Sequence, residues 1–199
     1  MICLSCRSWS ERSVCPACLA DFRSGGVQRL ESGLLVRSAF RHEFSARRLV
    51  HRIKFESLQP AGRWLAEAMM PLLDGGPGIL VPVPRSGVRR LRYGVDPALV
   101  LAKELATLTG RIVARVLSAP LWTRAHTGRN AAGRHPPMFF SRPTNEPIIL
   151  VDDVVTTGST LQAAERELGD LVVGAVTATR ALKVTSLLGE DGAGQRPGP

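Results

Sequence analysis

The sequence predicts an α/β protein, an open and largely parallel sheet flanked by helices, with a small four-cysteine module in front of it. Three observations carry this. From Ile79 to Lys183, short apolar runs alternate with segments whose apolar residues recur at helical spacing, the pattern of strand–helix–strand units joined by right-handed crossovers. Ile148-Ile149-Leu150-Val151 is a continuous apolar run, as a central parallel strand covered on both faces requires. All four cysteines fall between Cys3 and Cys18.

Residues 1–26 show little apolar periodicity and end in Ser24-Gly25-Gly26. Leu34 to Phe40 reads as a strand. Phe44 to Phe55 reads as a helix with Leu49 and Ile53 on one side, and Ala61 to Leu73 as a second with Leu65, Met69 and Leu72 in register. Ile79-Leu80-Val81-Pro82-Val83-Pro84 is a short buried strand running into a loop. Pro97 to Leu108 is a helix, with proline in its first turn and Gly110 just past its end. Ile112 to Leu117 reads as a strand, Ser159 to Leu168 as a helix, and Val172 to Leu182 contains the next strand. The organisation expected is a metal-binding module over 1–26, an α/β domain over 27–183, and a disordered Gly/Pro-rich tail over 184–199.

The chain of 199 residues is 44% hydrophobic and 22% charged, ordinary globular values that argue against wholesale disorder. No apolar run approaches the roughly 20 residues of a membrane helix, and Met1 to Cys6 lacks the features of a signal peptide. A cytoplasmic protein without membrane insertion is the expectation. Its oligomeric state is not legible. The net charge is +9, and the cations are nearly all arginine, whose planar fork grips phosphate bidentately. A GC-rich genome gives the same bias. Anionic partners are expected either way: a phosphorylated small molecule, nucleic acid, or both.

Cys3-x2-Cys6 and Cys15-x2-Cys18 are two knuckles separated by eight residues. Each turn sets two sulfurs on one side of an ion, and two turns complete a tetrahedral four-sulfur site for structural Zn2+. An iron–sulfur cluster, redox thiols and disulfides are the weaker readings. A closed four-sulfur site leaves no position for a substrate.

The second motif is Val151-Asp152-Asp153-Val154-Val155-Thr156-Thr157-Gly158-Ser159-Thr160. A buried strand ends in two acids, a loop of small hydroxyl residues follows, and a helix begins. Ligands of open α/β sheets bind at such strand ends. The backbone N–H groups of residues 156–160, the helix dipole and four hydroxyls suit a phosphate, with Gly158 expected to let the backbone approach it. The acids would repel phosphate and instead suit vicinal hydroxyls, a metal or a developing positive charge. A helix cap with incidental acids is the bland alternative.

This stretch resembles the phosphoribosyl pyrophosphate (PRPP) motif of the type I phosphoribosyltransferases. With the cysteine module, Leu49-Val50-His51-Arg52-Ile53-Lys54-Phe55 and Val81-Pro82-Val83-Pro84, the chain resembles their ComF family of competence-related proteins. The resemblance implies a type I phosphoribosyltransferase fold with a zinc-ribbon-like module. It implies that Asp152 and Asp153 hold the ribose hydroxyls as the catalytic pair. Val154, Val155, Thr156, Thr157, Gly158, Ser159 and Thr160 would line the PRPP site. The loop from Arg85 would bind pyrophosphate with Mg2+, and a mobile loop from Arg124 to Arg134 would bring Arg129 and Arg134 over it. Tyr93-Gly94-Val95-Asp96-Pro97 departs from the family's Arg-Gly-Phe-Asn-Gln type of sequence, keeping the glycine and carrying Asp for Asn.

Three functions are open at this point: transfer of 5-phosphoribosyl to an unknown acceptor with release of pyrophosphate, non-catalytic sensing of PRPP or another phosphorylated ribose, and binding of single-stranded DNA during uptake. His42, His51, Arg47, Arg48, Arg52 and Lys54 read as a solvated basic face or a phosphate contact. Trp9, Trp64 and Trp122 read as core or partial-core residues.

Overall fold

Alternate residues of each central strand belong to two different apolar clusters, and these clusters set the layers of the molecule. The computed structural model describes residues 1–73, 76–85, 95–120 and 138–182. The strands are β1 (Ser24–Arg29), β2 (Leu35–Arg41), β3 (Ile79–Pro82), β4 (Leu117–Ser118), β5 (Phe140–Ser141), β6 (Ile148–Val155) and β7 (Val172–Arg180). The helices are α1 (Pro16–Leu19), α2 (Phe44–Glu56), α3 (Gln59–Met69), α4 (Pro97–Thr109) and α5 (Ser159–Leu168). A five-stranded sheet has the order β1-β2-β7-β6-β3, and a two-stranded ribbon pairs β4 with β5. β2, β7, β6 and β3 are mutually parallel, while β1 joins β2 as an antiparallel hairpin.

Ile149, Val151, Val176 and Leu80 face α2, α3 and α4, meeting Leu49, Ile53, Leu65, Met69, Leu101 and Leu105. Ile148, Leu150, Val81 and Ala175 face the other way, toward Leu161, Ala164 and Leu168 of α5. Each fully buried aliphatic side chain stabilises the fold by about 1.5–3 kcal/mol. Helix ends follow local chemistry. Pro97 opens α4 after Asp96, whose extended φ of −100° suits a residue before proline. Gly110 closes α4 at φ 72° and donates its N–H to the Ala106 carbonyl.

Two connections decide where a ligand can sit. From β3 the chain crosses α4 and returns at Val113, which bridges Leu80 in parallel on the outer edge of β3. From β6 it crosses α5 on the opposite face and returns as β7 on the inner side. The chain therefore leaves the neighbouring ends of β3 and β6 in opposite directions, which opens a crevice at a topological switch point.

Several expectations change. The central strand does not stop at the acids: β6 runs on to Val155, with Asp152 opposite Thr177 and Val154 opposite Thr179. The strand expected over Ile112–Leu117 reduces to the single bridge at Val113, and Leu117 pairs instead with Ser141. β1 was not expected and lies across the 26/27 boundary. Cys3, Val14 and Cys18 of the first module share the cluster of α2 and α3. Trp64 packs against Phe22 and Phe40 as expected, with ring centroids 4.9 and 5.7 Å away. Trp9 is 73% exposed, contrary to the packing expected of it. Trp122, the Arg124–Arg134 stretch and the tail lie outside the described residues. Among the described residues no helix is long and apolar enough to cross a membrane.

Candidate functional site

The two knuckles bring Cys3, Cys6, Cys15 and Cys18 together, with all four Sγ atoms within 4.8 Å of one another. All four are free cysteines. Cys6 Sγ lies 3.7 Å from Cys15 Sγ, and tetrahedral ligation with Zn–S near 2.3 Å sets sulfurs about 3.8 Å apart. The Cys15 N–H donates to Cys3 Sγ at 3.3 Å and the Cys18 N–H to Cys15 Sγ at 3.5 Å. The thiols are unequal. Hydrogen bonds from the Ser8 side chain and backbone pull Cys6 down to about 6. At Cys15 the Cys18 backbone N–H lowers the value, but lost hydration and the three other sulfurs prevail and push it up to about 11. Four thiolates this close need a cation between them, so the cluster has the donor set and spacing of a metal site such as zinc.

The module is fastened to α2 by arginines. Arg52 donates to the Leu4 carbonyl and, at 3.0 Å, to Glu56. Arg48 donates to Ser5 Oγ at 3.1 Å and to Ser45 Oγ at 2.8 Å, and Ser45 Oγ donates to Asp21 at 2.8 Å. Arg7 pairs with Glu56 at 2.7 Å. Arg48 and Arg52 are thus tied to the first module, while Arg47, Arg48 and His51 remain exposed, as the solvated basic face expected of this helix requires.

At the crevice, Asp153 is 7% exposed, and its Oδ2 is ion-paired with Lys54 Nζ from the last turn of α2. Its own N–H donates to Asp152 Oδ1 at 2.8 Å. Asp152 is half-buried. Lost hydration first, and the Asp153 charge second, push its carboxyl well above the usual carboxylate range. A hydroxyl ladder supports the pair from β2 and β7. Thr179 Oγ1 donates to the Asp153 carbonyl at 3.1 Å and lies 2.8 Å from His42 Nδ1. The single Thr179 proton is spent on that carbonyl, so His42 Nδ1 carries the proton of the other bond. Thr177 Oγ1 donates to the Thr179 carbonyl at 3.2 Å and accepts from Ser38 Oγ at 2.7 Å. Burial, then the Lys54 charge, lowers the His42 pKa below the ordinary imidazole value, against an opposing pull from Asp153.

Thr156, Thr157 and Ser159 are exposed and Thr160 is half-buried. The first bond of α5 runs from the Gln162 N–H to the Gly158 carbonyl at 2.9 Å, so the helix ladder leaves the N–H groups of residues 159–161 unused. Ser159 N–H reaches Thr157 Oγ1 at 3.4 Å. Gly158 has φ 81°, and a Cβ there would meet Leu30 at 2.4 Å. The glycine therefore makes room for Leu30 of the β1–β2 turn. Val155 is 2% exposed in the α5 cluster and Val154 packs against the α2–α4 cluster, so both side chains serve packing. Arg85 follows β3 and is half-buried. Arg129 and Arg134 lie outside the described residues.

Comparison with known proteins adds no relative: no protein-family model matches the chain, and no curated protein matches it. The crevice gains three residues to which sequence reasoning gave no part in it: Lys54, His42 and Asp96. One signal for Lys54 was present. It stands one helical turn beyond Val50, on the buried side of α2, in a chain that uses arginine almost everywhere else. Asp96 heads α4, and burial raises its carboxyl while Arg85 pulls it back and Asp153 adds to the rise.

Proposed function

We propose that the protein binds PRPP, or another phosphorylated ribose, as a ComF-type phosphoribosyltransferase-like protein with a structural zinc. One observation carries this reading: an acid pair and a hydroxyl-rich helix start stand together at the carboxyl end of β6, at the switch point. Asp152 and Asp153 accept hydrogen bonds from the ribose hydroxyls. The turn from Thr156 to Thr160 takes the 5-phosphate on unused N–H groups and hydroxyls. Arg85, with Mg2+, takes the pyrophosphate. In a transferase the pyrophosphate leaves the anomeric carbon as the acceptor bonds to it, and the acids stabilise the positive charge that develops there. Zinc, held by Cys3, Cys6, Cys15 and Cys18, is structural.

Calorimetric titration of the full chain with PRPP and Mg2+ tests the reading. Binding is expected, and Asp152→Asn with Asp153→Asn should weaken it at least about 10-fold, since bonds to charged acceptors contribute about 1.5–3 kcal/mol each. Equal binding by that variant would remove the ribose from this pair. Release of pyrophosphate separates a transferase from a sensor.

Single-stranded DNA is the second reading. Trp9 at 73% exposure and the net charge of +9 favour it, because exposed aromatic rings stack on bases. Affinity should then fall with salt at about −0.7 log units per phosphate contacted, and Trp9→Ala should weaken DNA binding while leaving PRPP binding unchanged.

A further inference from the structure

Beside the crevice, a cleft of about 280 Å3 opens between the turn after α2 and the first half of α4. Its apolar wall includes Ile53, Leu58, Leu99 and Val100. Two charged residues on the wall are already accounted for. Glu104 lies 3.6 Å from Arg63, and Lys103 is exposed to solvent. Asp96 differs. Among the described residues, one of its carboxylate oxygens is shut away from solvent without a hydrogen-bond partner. It is placed to cap α4, yet it makes no capping bond. The Arg85 and Leu99 backbone N–H groups and the Arg85 charge act on the carboxylate, yet this one oxygen stays unmet, and an unmet buried acceptor costs about 1–3 kcal/mol. Ser57, which turns the chain between α2 and α3, is held at φ 54°, a left-handed conformation that non-glycine residues rarely adopt. This residue is the left-handed cap that closes α2, and it fixes the turn that forms one side of the cleft.

The chemistry of the wall defines the occupant. Its body is apolar and small, to fill the space and exclude water. Its head offers an N–H, because the unmet group is an acceptor, and a positive head suits a carboxylate. We propose that this cleft binds a small amine or amidine with an apolar body, held by an N–H···O bond to Asp96. The Asp153 charge acts on Asp96, so the cleft opens at the edge of the crevice. The proposal does not depend on PRPP, since none of the residues it uses is assigned to the ribose or its phosphates.

Benzamidine is the probe, titrated into the full chain and followed by calorimetry and by backbone amide NMR. Saturable binding below about 10 mM is expected, with shifts concentrated at Ser57–Gln59 and Val95–Val100. Toluene, which lacks the head, should bind at least about 10-fold more weakly. Asp96→Asn should lower the benzamidine affinity about 10-fold or more. Leu99→Trp, which fills the cleft and leaves Asp96 in place, should abolish binding. The NMR map of the unaltered chain stands even if Asp96→Asn fails to fold. No saturation by 10 mM, shifts confined to other parts of the chain, or equal affinity of a folded Asp96→Asn would each overturn the site. PRPP titrated separately reports on the crevice, so failure of one site is distinguishable from failure of the other.

Discussion

Asp152 and Asp153 are adjacent and chemically alike, yet their surroundings separate them. Asp153 turns to Lys54, a cation on a helix about a hundred residues earlier. Asp152 has no such partner among the described residues and feels both lost hydration and its neighbour's charge. Its folded pKa lies above the unfolded value near 4. Stability from this group is fully present below that unfolded value and is lost as pH rises through the folded one. Asp152→Asn should therefore raise the urea midpoint at pH 7 while weakening ribose binding, a site residue that costs stability. His42 has the opposite sign. Its depressed pKa gives stability that is present above about pH 6.5 and lost as pH falls through the folded value. Between pH 7 and pH 5 the His42 contribution should fall while that of Asp152 rises, so His42→Asn, whose amide can still donate to Thr179, should gain stability relative to the parent as pH falls. Urea melts across that range read both effects.

At the scale of elements, the start of α5 depends on a turn far from it in sequence. Gly158 is left-handed and faces Leu30. Gly158→Ala carries about 1–2 kcal/mol of backbone strain, together with overpacking of about 1–3 kcal/mol against Leu30. The expected loss is about 2–5 kcal/mol. Leu30→Ala alone should cost about 2–5 kcal/mol by leaving a cavity. The double variant should be less destabilised than the sum of the two by about 1 kcal/mol, because the smaller residue 30 admits the new methyl. A double-mutant cycle in urea measures this, and strict additivity would mean that backbone strain alone explains the glycine. β1 shows a similar dependence. A Cβ on Gly25 would come within 2.7 Å of Ser38, so this strand joins β2 only with glycine there.

Across the whole molecule, the four-cysteine module is part of the main core. Cys3, Val14 and Cys18 pack with Leu49 and Ile53, and Arg48 and Arg52 tie the module to α2. Because α2 also carries Lys54 to the crevice, loss of the metal should be felt there. Chelation should lower the melting temperature of the entire α/β unit. It should also reduce hydrogen-exchange protection in α2 as well as in residues 1–23, since metal binding and folding are linked. Protection lost from residues 1–23 alone would show that the module unfolds by itself.

β2, α2, α4, α5 and β7 were readable because each presents its own period: two residues for a half-buried strand, about 3.6 for a helix with one buried stripe. The cysteine knuckles and the run from Asp152 to Thr160 were readable because each is contiguous, or nearly so, in sequence. β1 was not, because Ser24-Gly25-Gly26 carries no apolar pattern and the strand exists only through its pairing with β2. The end of β6 was misplaced because acids usually leave a strand, whereas here β7 keeps pairing through Thr177 and Thr179. The sequence by itself determined the alternation of elements, the metal-binding donor set and the acid pair, all properties of neighbouring residues. Only the tertiary structure decided that Lys54 pairs with Asp153, that His42 and Asp96 come within reach of the Asp153 charge, and that Gly158 faces Leu30. Those contacts join residues separated by tens to more than a hundred positions, and their energies depend on burial and distance, which no local pattern encodes.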